Sequence, residues 1–223
     1  MRNGAPASRI GMISDILAAL VAADGTDGHS YATEASTSLL TRSVANLADA
    51  VHYLCMLHGR YPGVIDHAAV RTADNGARAW LLQAADGFAT ERSMLTQLTV
   101  AVGPLPSTAG QGESETTVLQ QRHAIDMLAQ SDRRGCAMGA AIALVLDWQA
   151  VRKLLDIASL RVGLEPRPSL LPDATATYAL ADEVAGMEDG MSRAIQFGAR
   201  QMLRQHGGLW DLLQARAMVR AQS

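Results

Sequence analysis

Two carboxylates in this chain stand where an apolar side chain is expected. Glu91 shares a helical stripe with Trp80, Ala84, Phe88, Leu95, Leu98 and Val102, and Asp147 lies near Cys136, Ala140, Val151 and Leu154 on another. At about 100° per residue each stripe is one helix face, so both acids are expected inside a bundle. A buried carboxylate is costly unless a cation, a metal or a proton satisfies it. His58 continues the core stripe of Leu40, Val44, Leu47, Val51 and Leu54, and His123 lies between Leu119 and Met127. Carboxylates and imidazoles are what helical bundles offer to iron and manganese. His58, Glu91, His123 and Asp147 are therefore the candidate metal ligands, with iron or manganese as the expected metal.

Asp49 and His52 are secondary candidates, because a three-residue spacing lets one helix give two ligands to one metal. Both fall on the side away from the main stripe of their helix, where a solvated pair is the bland alternative. Gln120 and His123 repeat the spacing with an amide in place of the acid, and glutamine is a poor ligand for these metals. The order of Asp49 with His52, Glu91, Gln120 with His123, and Asp147 resembles the ligand alternation of ferritin-like di-metal proteins, shifted by one helix. The competing expectation for Glu91 and Asp147 is a buried ion pair, with Arg92 beside Glu91 and Arg133 and Arg134 ahead of Asp147. His58 in that case is a core histidine, and His123 a surface partner of Asp126. The turn HGRYPGVIDH also gathers His58, Asp66 and His67, and a rigid loop rich in titratable groups at a bundle end is a fair place for a pocket.

The elements that must position these residues are helical throughout. Apolar spacing of three and four dominates, and alternating β-branched runs are missing. The pattern predicts helices over about 8–23, 33–58, 64–71, 75–102, 114–130, 133–160, 174–206 and 208–221. Gly59 is the expected C-cap of the second, Gly103 to Ser114 a long connection, and Gly207-Gly208 a break near the carboxyl end. An all-α fold follows: a helical bundle with a ferritin-like four-helix core and extra helices, or a heme-oxygenase-like multi-helix stack. One domain over 1–223 is expected, with 33–160 as the core bundle and 173–221 as carboxyl-terminal helices packed on it.

Composition narrows the classes of function. A net charge of −3 and scattered basic residues give no footprint for nucleic acid. The most apolar segment, Gly135 to Leu146, is too short to cross a bilayer, and Asp15 interrupts the amino-terminal apolar run, so no membrane association is expected. Cys55 and Cys136 are isolated in apolar helices and read as reduced thiols, which predicts a cytoplasmic protein. There is no G-x-S-x-G, phosphate-cradling glycine loop or H-E-x-x-H to support hydrolase or kinase chemistry.

The runs LADAVHYLCMLHGRYPGVIDHA and ESETTVLQQRHAIDMLAQSDRRGCAMGAAIALVLDW resemble an uncharacterised family of bacterial all-helical proteins of unknown function. The resemblance covers residues 31 to 160 and implies no activity. The sequence therefore predicts a non-enzymatic module that binds a small apolar ligand or a partner, or self-associates as a homo-oligomer. Its ten methionines would supply adaptable surface. The rival expectation is a ferritin-like metal-dependent oxidase or hydroxylase with a mono- or di-metal site in the bundle core.

Overall fold

A computed structural model describes residues 12–34, 43–188 and 190–222. Among the described residues the chain forms nine α-helices and no strand, so the fold is all-α. They are α1 (Ile13–Asp24), α2 (Ser30–Glu34), α3 (Val44–His58), α4 (Val64–Arg71), α5 (Asn75–Ala101), α6 (Gln111–Ala129), α7 (Cys136–Arg161), α8 (Ala174–Ala185) and α9 (Met191–Ala221). A 3₁₀ turn, Thr26–Gly28, links α1 to α2. The predicted start at Ser8, and residues 35–42 of the predicted second helix, lie outside the described residues.

Local chemistry explains several boundaries. Ser43 Oγ accepts from Asn46 N at 3.2 Å to start α3, Asp74 Oδ1 from Ala77 N at 2.8 Å to start α5, and Asp173 Oδ1 from Ala176 N at 2.8 Å to start α8. Gly59 caps α3 as expected, its N–H meeting Cys55 O at 2.7 Å. The single helix expected over 33–58 is instead α2 and, after the undescribed residues, α3, because Ser43 offers its own amino-terminal cap. The connection after α5 is shorter than expected, since α6 already begins at Gln111.

Near the carboxyl end the expected break is misplaced. α9 runs unbroken through Gly207 and Gly208, and the chain leaves helix between α8 and α9 instead, where Gly190 takes φ +84°. A left-handed residue ends a helical path, whereas glycines with helical dihedrals only weaken it by roughly 1 kcal/mol each relative to alanine. Packing of α9 along α7 outweighs that cost.

Helix α7 is the central element and contacts α1, α3, α4, α5, α6, α8 and α9. Its closest partner is α9: a Cβ on Gly139 would collide with the backbone of Ile195, and one on Gly198 with the backbone of Cys136. These glycines let two backbones approach. Trp148, Trp210, Tyr53 and Phe88 are fully buried around this axis. Among the described residues, no helix is long and apolar enough to cross a membrane.

Candidate functional site

Asp147 sits in the middle of α7, 1 % exposed, beneath the 3₁₀ turn. Its Oδ1 accepts from Thr26 N at 2.7 Å and its Oδ2 from Thr26 Oγ1 at 2.7 Å, while Trp210 Nε1 donates to that same hydroxyl at 3.0 Å. A Cβ at Gly25 would stand 2.6 Å from Asp147 Oδ1, so glycine lets the turn close on the carboxylate. Across the core, His206 Nδ1 of α9 meets Asp147 Oδ2 at 2.5 Å, and His206 Nε2 lies 2.8 Å from His58 Nε2 at the end of α3. Burial alone would raise the Asp147 carboxyl, but the His206 hydrogen bond and charge and the Thr26 donors hold it below the usual carboxylate range. Burial, together with the neighbouring His206 and Arg92 charges, pushes His58 well below its usual range, so its ring is neutral.

The direction of the bond between Asp147 and His206 follows from that charge state. An ionised carboxylate only accepts, so the hydrogen between Asp147 and His206 is on Nδ1. Between the two rings one Nε2 donates and the other accepts. No described residue hydrogen-bonds His58 Nδ1.

Glu91, 0 % exposed, belongs to a separate cluster. Arg152 Nη1 reaches its two oxygens at 2.8 and 3.0 Å, Trp148 Nε1 donates at 3.1 Å and Ser169 Oγ at 2.7 Å. Arg152 is itself fixed by Asp156, with Nε at 2.7 Å from Oδ1, and by the carbonyl of Arg167. A third cluster surrounds Asp49, which is 0 % exposed rather than on a solvated side. Arg216 grips it with Nε at 2.7 Å and Nη2 at 3.2 Å, and Arg220 completes the clasp. The expectation for Asp49 fails because α9 and α6 cover the flank of α3 that its own helical wheel left open. His52 next to it is half-buried and donates to Gly103 O at 2.8 Å.

The four candidate ligands are thus distributed. His58 and Asp147 share one cluster through His206, Glu91 lies in another, and His123 is exposed on α6. Among the described residues, no three or more His, Cys, Asp or Glu side chains are arranged to hold a metal ion. The arginines near in sequence are not the partners of the acids. Arg92 pairs with Asp66 at 3.0 Å, Arg134 with Glu188 at 2.6 Å, and Arg133 stacks over Phe197. The next residue on a helix points about 100° away, so Arg92 cannot turn back onto Glu91.

Sequence reasoning passed over Thr26, Arg152, His206, Arg216 and Arg220. A signal existed for His206: Ala199, Met202, Leu209, Trp210 and Leu213 form an apolar stripe through it. Reading Gly207-Gly208 as a break hid that stripe.

Two of the clefts among the described residues bear on ligand binding. At the HGRYPG turn, His58, Arg60, Pro62, Gly63, Arg92 and Arg122 help to line a narrow cleft with an inner space of about 20 Å³, room for one water-sized group. Asp66 is not free there, because it accepts from Gly63 N at 2.8 Å and pairs with Arg92. The second cleft, about 410 Å³, lies among the ends of α4, α7 and α8 and carries Met138, Met187 and Met191.

Fold and site together define an all-helical protein whose buried acids are each held by donors of its own chain. Residues 21–221 match the model of a family of unknown function, DUF6975, and the chain belongs to that family. No curated protein and no solved structure matches it.

Proposed function

We propose that the chain is a non-enzymatic binding protein that holds a small, largely apolar ligand in the cleft among α4, α7 and α8. That cleft carries the reading. Its volume of about 410 Å³ falls in the range of small-molecule sites, and Met138, Met187, Met191, Val184, Ala77 and Ala137 give it adaptable apolar walls. Its lining arginines and acids are equal in number, and two pairs neutralise each other, Arg71 with Asp132 at 2.9 Å and Arg134 with Glu188 at 2.6 Å. A neutral ligand suits such a rim better than an ion does. The arginine partners of Glu91 and Asp49 support the same reading, since an acid already neutralised holds helices in register without chemistry.

Titration of the full chain with N-phenyl-1-naphthylamine, a neutral apolar fluorophore, tests this. Saturable one-to-one binding is expected, lost in Ala137→Trp, which fills the cleft, while the far-ultraviolet circular dichroism is unchanged. Absence of saturable binding, or binding untouched by Ala137→Trp, would overturn the assignment. Stoichiometric iron or manganese in untagged protein, lost in Glu91→Ala, would put a metal-dependent oxidase or hydroxylase in its place.

A further inference from the structure

Helix α9 buries one face against α7, and the face opposite it is exposed. Phe197, Arg200, Arg204, Asp211, Ala215 and Met218 lie on that face and, with Gly207 and Gly208, recur every three or four residues along it. Such spacing keeps a stripe about 32 Å long in line, which is the pattern one helix offers to another. The middle of the stripe is low. A Cβ on Gly207 would meet nothing within 4 Å, and an open depression of about 520 Å³ lies there, lined by Asp24, Arg200, Arg204 and Asp211. Arg200 and Arg204 form no ion pair with a described residue. Asp211 is exposed and uses only Oδ1, which lies 3.0 Å from His29 Nε2.

The order of residues along the stripe is symmetric about the Gly207-Gly208 junction. Arg204 lies three residues before Gly207 and Asp211 three after Gly208, while Phe197 lies ten before and Met218 ten after. Two such helices laid antiparallel, with a two-fold axis at that junction, bring each Arg204 opposite the other's Asp211 and each Phe197 opposite the other's Met218. A two-fold interface requires this self-complementarity, because residue i must meet j while j meets i. Opposite charges then face each other twice beside the glycines, and a thioether meets an aromatic ring at each end. Parallel pairing would instead set Arg204 against Arg204. Phe197 is 45 % and Met218 57 % exposed, so antiparallel pairing removes apolar surface from water at both ends.

We propose that α9 is the contact helix of a homodimer, packed antiparallel on α9 of a second copy about Gly207-Gly208. The dimer is independent of the apolar cleft, and either can fail without the other. One helix pair buries less than a standard interface, so dissociation in the micromolar range or weaker is expected. Sedimentation equilibrium of the full chain from about 5 to 500 µM, which brackets such an affinity, is expected to show the mass rising from one chain toward two. Arg204→Asp sets an acid opposite each Asp211, and Asp211→Arg sets an arginine opposite each Arg204. Each single variant is expected to weaken association by about 10-fold or more, because like charges then face each other twice. Both side chains are exposed, so circular dichroism is expected to be unchanged. Mixed in equal amounts, the two variants are expected to associate with each other as the wild type does with itself, since every charge then meets its opposite. A wild type that stays monomeric at the highest concentration, single variants that dimerise as the wild type does, or a mixture that remains monomeric would each sink the proposal.

Discussion

The Glu91 carboxylate has three donor groups, from Arg152, Trp148 and Ser169, and one formal positive charge beside it. Removing the cation leaves a buried charge unpaired, which costs far more than the pair itself contributes. Arg152→Met is therefore expected to lower stability by about 3–5 kcal/mol in urea unfolding, and Glu91→Leu combined with Arg152→Met to recover most of it. The histidine cluster makes a different prediction, one of pH. His58 has a folded pKa below its usual value of 6.5, so the unfolded chain takes up its proton first and stability falls as pH drops below about 6.5. Asp147 is also depressed, from 3.8, so its contribution is present above that value and is lost as pH falls through the lower folded value. Acid unfolding followed by circular dichroism is expected to show both phases, and His58→Phe to remove only the upper one. A stability flat from pH 7 to 4 would contradict the burial of a neutral His58.

Among the elements, α9 does the most to join the molecule. His206 and Trp210, four residues apart, serve the Asp147 cluster, and Arg216 and Arg220, again four apart, serve Asp49. Ten residues of α-helix separate His206 from Arg216 by about 15 Å, so only an unbroken helix holds both clusters in fixed relation. Its continuity through Gly207-Gly208 can be measured. A Cβ on Gly207 would meet nothing within 4 Å, and the backbone there is helical. Gly207→Ala is thus expected to raise stability by about 0.4–1 kcal/mol through a smaller loss of chain entropy, read as a higher urea midpoint at constant slope. A destabilised Gly207→Ala protein would restore the break that the glycine pair suggests. Between α7 and α9 the opposite holds, because Gly139 and Gly198 each face backbone and admit no side chain.

For the molecule as a whole, enclosure of α7 by its neighbours predicts where exchange is slowest. Backbone amides of the Ala140–Val151 stretch, where nearly every side chain is buried, are expected to exchange only on global unfolding, and those of the exposed face of α6 much sooner. Hydrogen exchange by mass spectrometry reads this directly, and fast exchange in α7 would contradict its central place. Apolar periodicity was enough to give the helices and to turn Glu91, Asp147 and His58 inward, because a period of 3.6 residues assigns each side chain to a face whatever that face meets. It could not name the partners. Arg152 is 61 residues from Glu91, His206 is 59 from Asp147, and Arg216 is 167 from Asp49. Which of them meet depends on the rotation and axial shift of one helix against another, set by packing over the whole core. Asp49 shows the limit most plainly, since a wheel reports the direction of a side chain, and only the neighbouring helix decides whether that direction is water or protein. The sequence by itself therefore determined an all-α chain with acids and a histidine pointing inward. Tertiary packing alone decided that Glu91 and Asp49 meet arginines, and that Asp147 instead reaches His58 through His206.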